Sequence, residues 1–185
     1  MRVIGFAGWS GAGKTTLLRR VIPLLVGRGL RVSTVKHAHH RFDVDQPGKD
    51  SWEHRRAGAT EVLVASAARW ALMHELRGVE EPELPELLAR MTEVDLVLVE
   101  GFKRGGQPKI EVFRALSGKE PLHLGDPSIV AIASDTPFPH AGIPIIDLDD
   151  AEAVSEAALA YARPIDQIDW TARAAAQPFP GMEGG

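Results

Sequence analysis

Apolar and polar positions along this chain switch between a strand rhythm and a helix rhythm. Residues 3–7, Val-Ile-Gly-Phe-Ala, form a short unbroken apolar run, as expected of a strand buried on both faces. Leu17, Leu18, Val21, Leu24 and Leu25 then recur at helical spacing, so the next segment packs one face on a sheet. Pro23 lies inside that pattern and should loosen its last turn. Gly27 and Gly29 end the helix, and residues 30–35 read as a second strand, giving a parallel β–α–β unit. A short helix with Asp50 or Ser51 as N-cap follows, closed by Gly58. Residues 60–66 and 70–75 are two β-rich runs that read as a hairpin inserted into, or appended to, the sheet. Residues 82–91 read as a short helix with Leu84, Leu87 and Leu88 inward, and 94–101 as a fully buried central strand. Further strands are expected at 110–114, 128–133 and 143–146, then a helix capped by Asp149 or Asp150 that runs to Tyr161. From Arg163 onward Pro, Gly, Ala and polar residues dominate, which predicts a loosely packed tail. The pattern therefore predicts an α/β fold, a mostly parallel sheet flanked by helices with an inserted β-hairpin. Residues 1–162 would form one domain and 163–185 the tail.

The first strand and first helix are joined by Gly8-Trp9-Ser10-Gly11-Ala12-Gly13-Lys14-Thr15-Thr16. This matches the phosphate-binding P-loop pattern G-x-x-x-x-G-K-[ST] at every fixed position and in the required strand–loop–helix setting. Gly8, Gly11 and Gly13 let backbone N–H groups approach phosphate oxygens, and the positive end of the helix faces the same anion. Lys14 is placed to reach the β- and γ-phosphates, and the Thr15 hydroxyl to ligate Mg²⁺. Gly8, Ser10, Gly11, Ala12, Gly13, Lys14, Thr15 and Thr16 are the candidate nucleotide-binding residues, which places the fold among P-loop NTPases. Trp9, at a variable position, either covers the nucleotide or packs on a neighbouring loop.

P-loop NTPases use an acidic residue on a neighbouring strand to hold Mg²⁺ or its water. The strand at 94–101 offers Asp95 and Glu100. At about 3.3 Å per residue the two lie roughly 16 Å apart, and only Glu100 is at the C-terminal end beside the phosphates. Glu100, with Thr15, is the expected metal-side pair. Asp135 follows the strand at 128–133, where guanine-reading carboxylates of many GTPases sit, although the residues before it are Ala133-Ser134 rather than Asn-Lys. His37, His39 and His40 cluster in the loop after the second strand, without the fixed spacing of a strong metal signature. Lys103 and Arg104, in a Gly-rich basic loop, offer contacts to a second anionic ligand.

Composition narrows this picture. The 185 residues carry 21 Lys and Arg against 25 Asp and Glu, a formal net charge of −4 that implies no nucleic-acid-binding surface. With no cysteine, disulfides, iron–sulfur clusters and thiol chemistry are excluded. No apolar run approaches membrane-spanning length and no signal-peptide pattern opens the chain, so a cytoplasmic protein is expected.

Beyond the P-loop, three blocks stand out. They are Lys36-His37-x-His39-His40-x-Phe42-Asp43-x-Asp45-x-Pro47-Gly48-Lys49-Asp50-Ser51, His54-Arg55-x-Ala57-Gly58-Ala59 and Leu98-Val99-Glu100-Gly101-Phe102-Lys103. Together they resemble the molybdopterin-guanine dinucleotide biosynthesis adaptor family, MobB, over residues 2 to about 135. The resemblance implies a P-loop protein that binds GTP with Mg²⁺, usually a homodimer, with weak intrinsic GTPase activity. It also implies a partner, the guanylyltransferase MobA, which joins GMP to molybdopterin, and contact with molybdopterin-bearing proteins. Two other readings compete with an accessory GTPase. A small-molecule kinase using ATP would draw lid arginines from Arg55, Arg56 and Arg104. A nucleotide-gated interaction module would dimerise through the hairpin without turnover.

Overall fold

A computed structural model describes residues 1–38 and 42–172. These residues form two compact units, one built from Met1–His37 with residues 88 onward and the other from Ala38–Leu87, where composition alone points to one domain.

The larger unit is a parallel sheet in the order β2-β5-β1-β6-β7-β8. Its strands are β1 (Arg2–Ala7), β2 (Val32–Lys36), β5 (Leu96–Glu100), β6 (Lys109–Phe113), β7 (Ile129–Ser134) and β8 (Ile145–Asp147). Helices α1 (Lys14–Gly27) and α4 (Ala151–Tyr161) flank it. The continuous apolar runs in β1 and β5 follow from position, since each strand has neighbours on both edges and Val3, Ile4, Phe6 and Leu96 to Val99 are all buried. The β1–α1–β2 strands are parallel as expected, but they are not adjacent, because β5 lies between them. Chain connections diverge to either side of β1, and ligands of open α/β sheets bind at the C-terminal strand ends of such a switch point. Leu17, Leu18, Val21 and Leu25 of α1 share one core with Ile4, Phe6, Leu98, Ile110, Val154 and Ala158. Pro23 does not end α1, which runs on to Gly27. At α4 the Asp150 carboxylate accepts from the Ala153 N–H at 2.9 Å, the cap that the sequence suggested.

Arg163 is not the start of a loose tail. Arg163–Pro164 form β9, which pairs antiparallel with Arg2 and Val3, on the stretch of β1 that precedes the β6 pairing at Gly5–Ala7. The Ile165 N–H donates to the Met1 carbonyl, the Arg2 guanidinium donates to the carbonyls of Leu159 and Ala162, and Ile168 is buried. A side chain on Gly106 would lie 2.0 Å from the Asp169 carbonyl oxygen, so backbone at 169 is packed against the loop before β6. The expected tail from 173 lies outside the described residues.

The smaller unit holds α2 (Asp50–Arg56) and the antiparallel hairpin β3 (Glu61–Ala65) and β4 (Trp70–His74), a separate two-stranded sheet. Lys49 occupies the N-cap position of α2, where Asp50 or Ser51 was expected; Asp50 instead begins the first turn and complements the helix dipole there. The short helix α3 (Leu84–Leu88) buries Leu84 and Leu88.

Candidate functional site

The phosphate loop is defined by backbone that only glycine allows. Gly8 has φ +155°, and a Cβ there would stand 2.4 Å from the Val112 carbonyl oxygen of β6. Gly13 has φ +94° and occupies the N-cap position of α1 with no side-chain cap, so no side chain of the loop takes up the first-turn N–H groups. This is the geometry in which helix N-termini receive anions.

Lys14 folds back over the loop and donates to the carbonyls of Gly8 at 2.8 Å and Trp9 at 2.9 Å. Burial pushes its pKa below the ordinary lysine value, and the nearby Lys103 and Lys36 push the same way, against the raising effect of Glu100. Lys103 and Lys36 thus lie within electrostatic reach of the Lys14 ammonium, an arrangement that a polyanion relieves.

The Thr15 hydroxyl donates to Glu100 Oε1 at 2.8 Å. These are two hard oxygen donors of the kind Mg²⁺ takes alongside phosphate and water. Asp95, the rejected alternative, lies at the opposite end of β5, where it accepts from the Arg31 N–H at 2.8 Å. Lys36, which closes β2, puts its ammonium 3.5 Å from both Glu100 Oε1 and Thr15 Oγ1. A cation therefore already stands beside the oxygen pair, and a metal ion bound there displaces or adjoins it. Gly101 (φ +95°) keeps the next loop against β2, since a Cβ would come within 2.8 Å of His37 Cβ. The His37 ring packs on Phe102, centroids 4.8 Å apart.

Trp9 leans over the loop, its indole N–H donating to the Glu120 carbonyl at 2.8 Å, with Lys103 Nζ 4.7 Å from the ring centroid. The turn that carries Glu120 is anchored from below. Buried Glu111 accepts from the N–H groups of Leu122 and His123 and is 3.0 Å from His123 Nδ1.

Asp135 lies just past β7 and lines an open cleft of about 230 Å³ with Ser134, Thr136, Pro137, Ile145, Ile146 and Asp147. One of its oxygens accepts from the Ala115 N–H at 2.9 Å, and the other is 3.7 Å from the Arg114 guanidinium.

The match to known proteins agrees with this geometry. The family model for molybdopterin guanine dinucleotide synthesis protein B matches residues 3–135. The chain belongs to the MobB family. It is 46% identical over 157 residues to a molybdopterin-guanine dinucleotide biosynthesis adapter protein of Escherichia coli, covering 83% of this chain and 89% of the relative. A relative of the same name from Haemophilus influenzae is 44% identical over 139 residues, 74% of this chain and 76% of that protein. Among solved structures, a molybdopterin-guanine biosynthesis protein B superposes with a TM-score of 0.66 at 27% identity, over 85% of this chain and 98% of that one. The Bacillus subtilis MobB structure, at 24% identity and TM-score 0.68 over 88% and 99% of the two chains, shares the fold.

The MobB-like block at 36–59 divides between two roles. Lys36 and His37 belong to the phosphate-loop unit. Asp43 and Asp45 are instead ligands of Arg55, whose guanidinium donates to Asp45 through Nε at 3.1 Å and to both aspartates at 2.8 Å. Arg56 stacks over Trp52 at 4.8 Å. Two of the three arginines that the kinase reading would use for a lid, Arg55 and Arg56, are thus engaged within their own unit. His39 and His40 lie outside the described residues, and among the described residues no group of three or more His, Asp or Glu is arranged to hold a metal ion. No helix among them is long and apolar enough to cross a membrane. Sequence reasoning did not place Lys36 or Arg114 beside the loop, although Lys36 ends β2 and Arg114 directly follows β6 at the C-terminal edge of the sheet.

Proposed function

We propose that this protein is a GTP-binding accessory factor, acting with Mg²⁺ in the cytoplasm, that assists attachment of GMP to molybdopterin. The observation that carries the reading is the phosphate loop itself. Its uncapped helix start, its glycine-only backbone at Gly8 and Gly13 and its crowded Lys14 stand beside the Thr15–Glu100 oxygen pair. Its relatives, named as adapters of molybdopterin-guanine dinucleotide biosynthesis, support the metabolic setting and a partner enzyme, which this reading takes to be a guanylyltransferase of the MobA type. Bound Mg²⁺ would supply charge neutralisation between β- and γ-phosphates. The chain supplies the backbone cradle, Lys14 as a point charge on the phosphates, and Thr15 with Glu100 as oxygen ligands. Hydrolysis is weak in this reading, because no motif places a catalytic glutamine. Asp135, at the rim of its cleft, is the acceptor for the guanine N1–H and N2–H₂.

The test is a titration of GTP, GDP and ATP, with Mg²⁺ present, against the chain and against Lys14→Ala. GTP is expected to bind best and Lys14→Ala to lose at least about tenfold, the loss of one charged contact to phosphate. ATP preference would sink the guanine assignment.

The adapter reading also takes the chain as a homodimer. Register pairs Leu63 with Leu72 and Ala65 with Trp70, so all four side chains share one hairpin face, with Leu63 61% and Trp70 66% exposed. A contiguous apolar face on a two-stranded sheet with open edges is an association surface. Leu72→Glu should shift the protein to monomer in sedimentation at micromolar concentration, leaving GTP affinity within about twofold; an unchanged dimer places the interface elsewhere.

A further inference from the structure

Arg114 joins two parts of the site that the proposed function treats separately. We propose that Arg114 is a further nucleotide ligand, whose guanidinium binds a phosphate oxygen of the P-loop nucleotide and couples it to Asp135 in the base cleft. The proposal rests on the reading that a nucleoside triphosphate occupies the P-loop.

The geometry starts from Gly13. A Cβ there would lie 3.3 Å from Arg114 Nε, so the guanidinium packs directly on the residue before Lys14, at the start of α1. Gly13 thus serves twice. Its positive φ turns the chain into the helix, and its missing side chain leaves the space that Arg114 fills. The residue follows β6 immediately, so its Cα is carried by a strand paired on both sides, between β1 and β7. Its side chain remains 38% exposed.

The pair that Arg114 makes in this arrangement is loose. Its distance to Asp135, 3.7 Å, exceeds the roughly 2.7–2.9 Å of a charge-assisted hydrogen bond. The Asp135 carboxylate is itself fixed, because its other oxygen accepts from the Ala115 N–H at 2.9 Å. A guanidinium carries five N–H donors in a planar fork that matches phosphate geometry, and phosphate oxygens arriving at Gly13 meet that fork at close range. Asp135 then holds the fork from the side opposite the phosphates. The oxygen that Arg114 shares stays directed toward the cleft, where it accepts from the base. Phosphate affinity and base affinity are coupled through one salt bridge.

The experiment uses the full chain and two probes, GTP and inorganic tripolyphosphate, each competing with a fluorescent GTP analogue in Mg²⁺. Arg114→Gln is expected to weaken both probes about tenfold, the loss of a charged hydrogen bond to phosphate. Asp135→Asn is expected to weaken tripolyphosphate by about threefold, through loss of the fork's partner, and GTP by more, because only GTP carries a base; tripolyphosphate binding unmoved by Asp135→Asn would remove the coupling. A merely structural Arg114 would not move tripolyphosphate. Arg114→Gln with tripolyphosphate binding within twofold of wild type, while Lys14→Ala still lowers it, overturns the role of Arg114 and leaves the P-loop reading intact. Should Arg114→Gln unfold, Arg114→Lys, which keeps the charge but not the fork, must still weaken tripolyphosphate by about threefold or the proposal falls. A wild-type chain that does not hold tripolyphosphate, or a Lys14→Ala variant with unchanged affinity, removes the nucleotide reading itself and this proposal with it.

Discussion

Gly8→Ala should abolish nucleotide binding and destabilise the fold by about 3 kcal/mol or more, since it combines a forbidden backbone conformation with an overlap in a packed interior. The overlap is with backbone. The new methyl would stand 2.4 Å from the Val112 carbonyl oxygen, which β6 holds in the sheet, so neither partner yields without moving a strand. Gly11→Ala is the matched control. It also has positive φ, +81°, but a methyl there meets nothing within 4 Å, so only the backbone penalty of roughly 1–2 kcal/mol applies. Denaturant unfolding and GTP titration of the two variants separate the effects. Equal stability of Gly8→Ala and wild type would show that the loop does not rest on β6 as described.

The second large effect lies beneath the site. Lys109 is fully buried, and its ammonium donates to the Gly105 carbonyl at 2.6 Å, to Asp126 Oδ2 at 3.2 Å and to Ser128 Oγ. Lys109→Met removes one partner of a buried pair and leaves the Asp126 carboxylate with its Ser128 contacts but no counter-ion, at a cost of about 3–5 kcal/mol. The wild-type pair has its own pH signature. Burial holds the Lys109 pKa below the ordinary lysine value, and the Asp126 charge offsets this only in part. Between that lowered value and about 10.5, the unfolded chain binds more protons than the folded one, so this group's contribution to stability rises with pH. The variant lacks this rise. Thermal unfolding of both proteins from neutral pH into the alkaline range checks it, and parallel curves would sink the assignment.

The phosphate loop was legible because its chemistry restricts residue types: no other residues satisfy the backbone at Gly8 and Gly13. The position of Glu100 beside Thr15 was legible because strand rise alone separates it from Asp95. The cap at Asp150 carries its own local signal. Elements that depend on distant partners were not legible. Ile110-Glu111-Val112 alternates like a half-solvated strand, yet β6 is buried throughout, because the turn at 122–123 supplies the donors Glu111 needs. Residues 163–168 have the composition of a tail, yet backbone pairing with Arg2 and Val3 asks nothing of side-chain type. Nothing in the sequence sets Lys36 or Arg114 beside the phosphate loop, because only the strand order shows what lies next to them.

The order in which β1 acquires its neighbours has a consequence for biosynthesis. The strand that carries the phosphate loop leaves the ribosome before its partners β5, β6 and β9, which begin at Leu96, Lys109 and Arg163. At about 5–20 residues per second, on the order of ten seconds pass between the translation of the loop and of the segment that clasps its strand. For that interval the nascent chain displays an apolar strand with both edges open, the state that chaperones recognise. The sheet around the phosphate loop is therefore closed only long after the loop itself has been made.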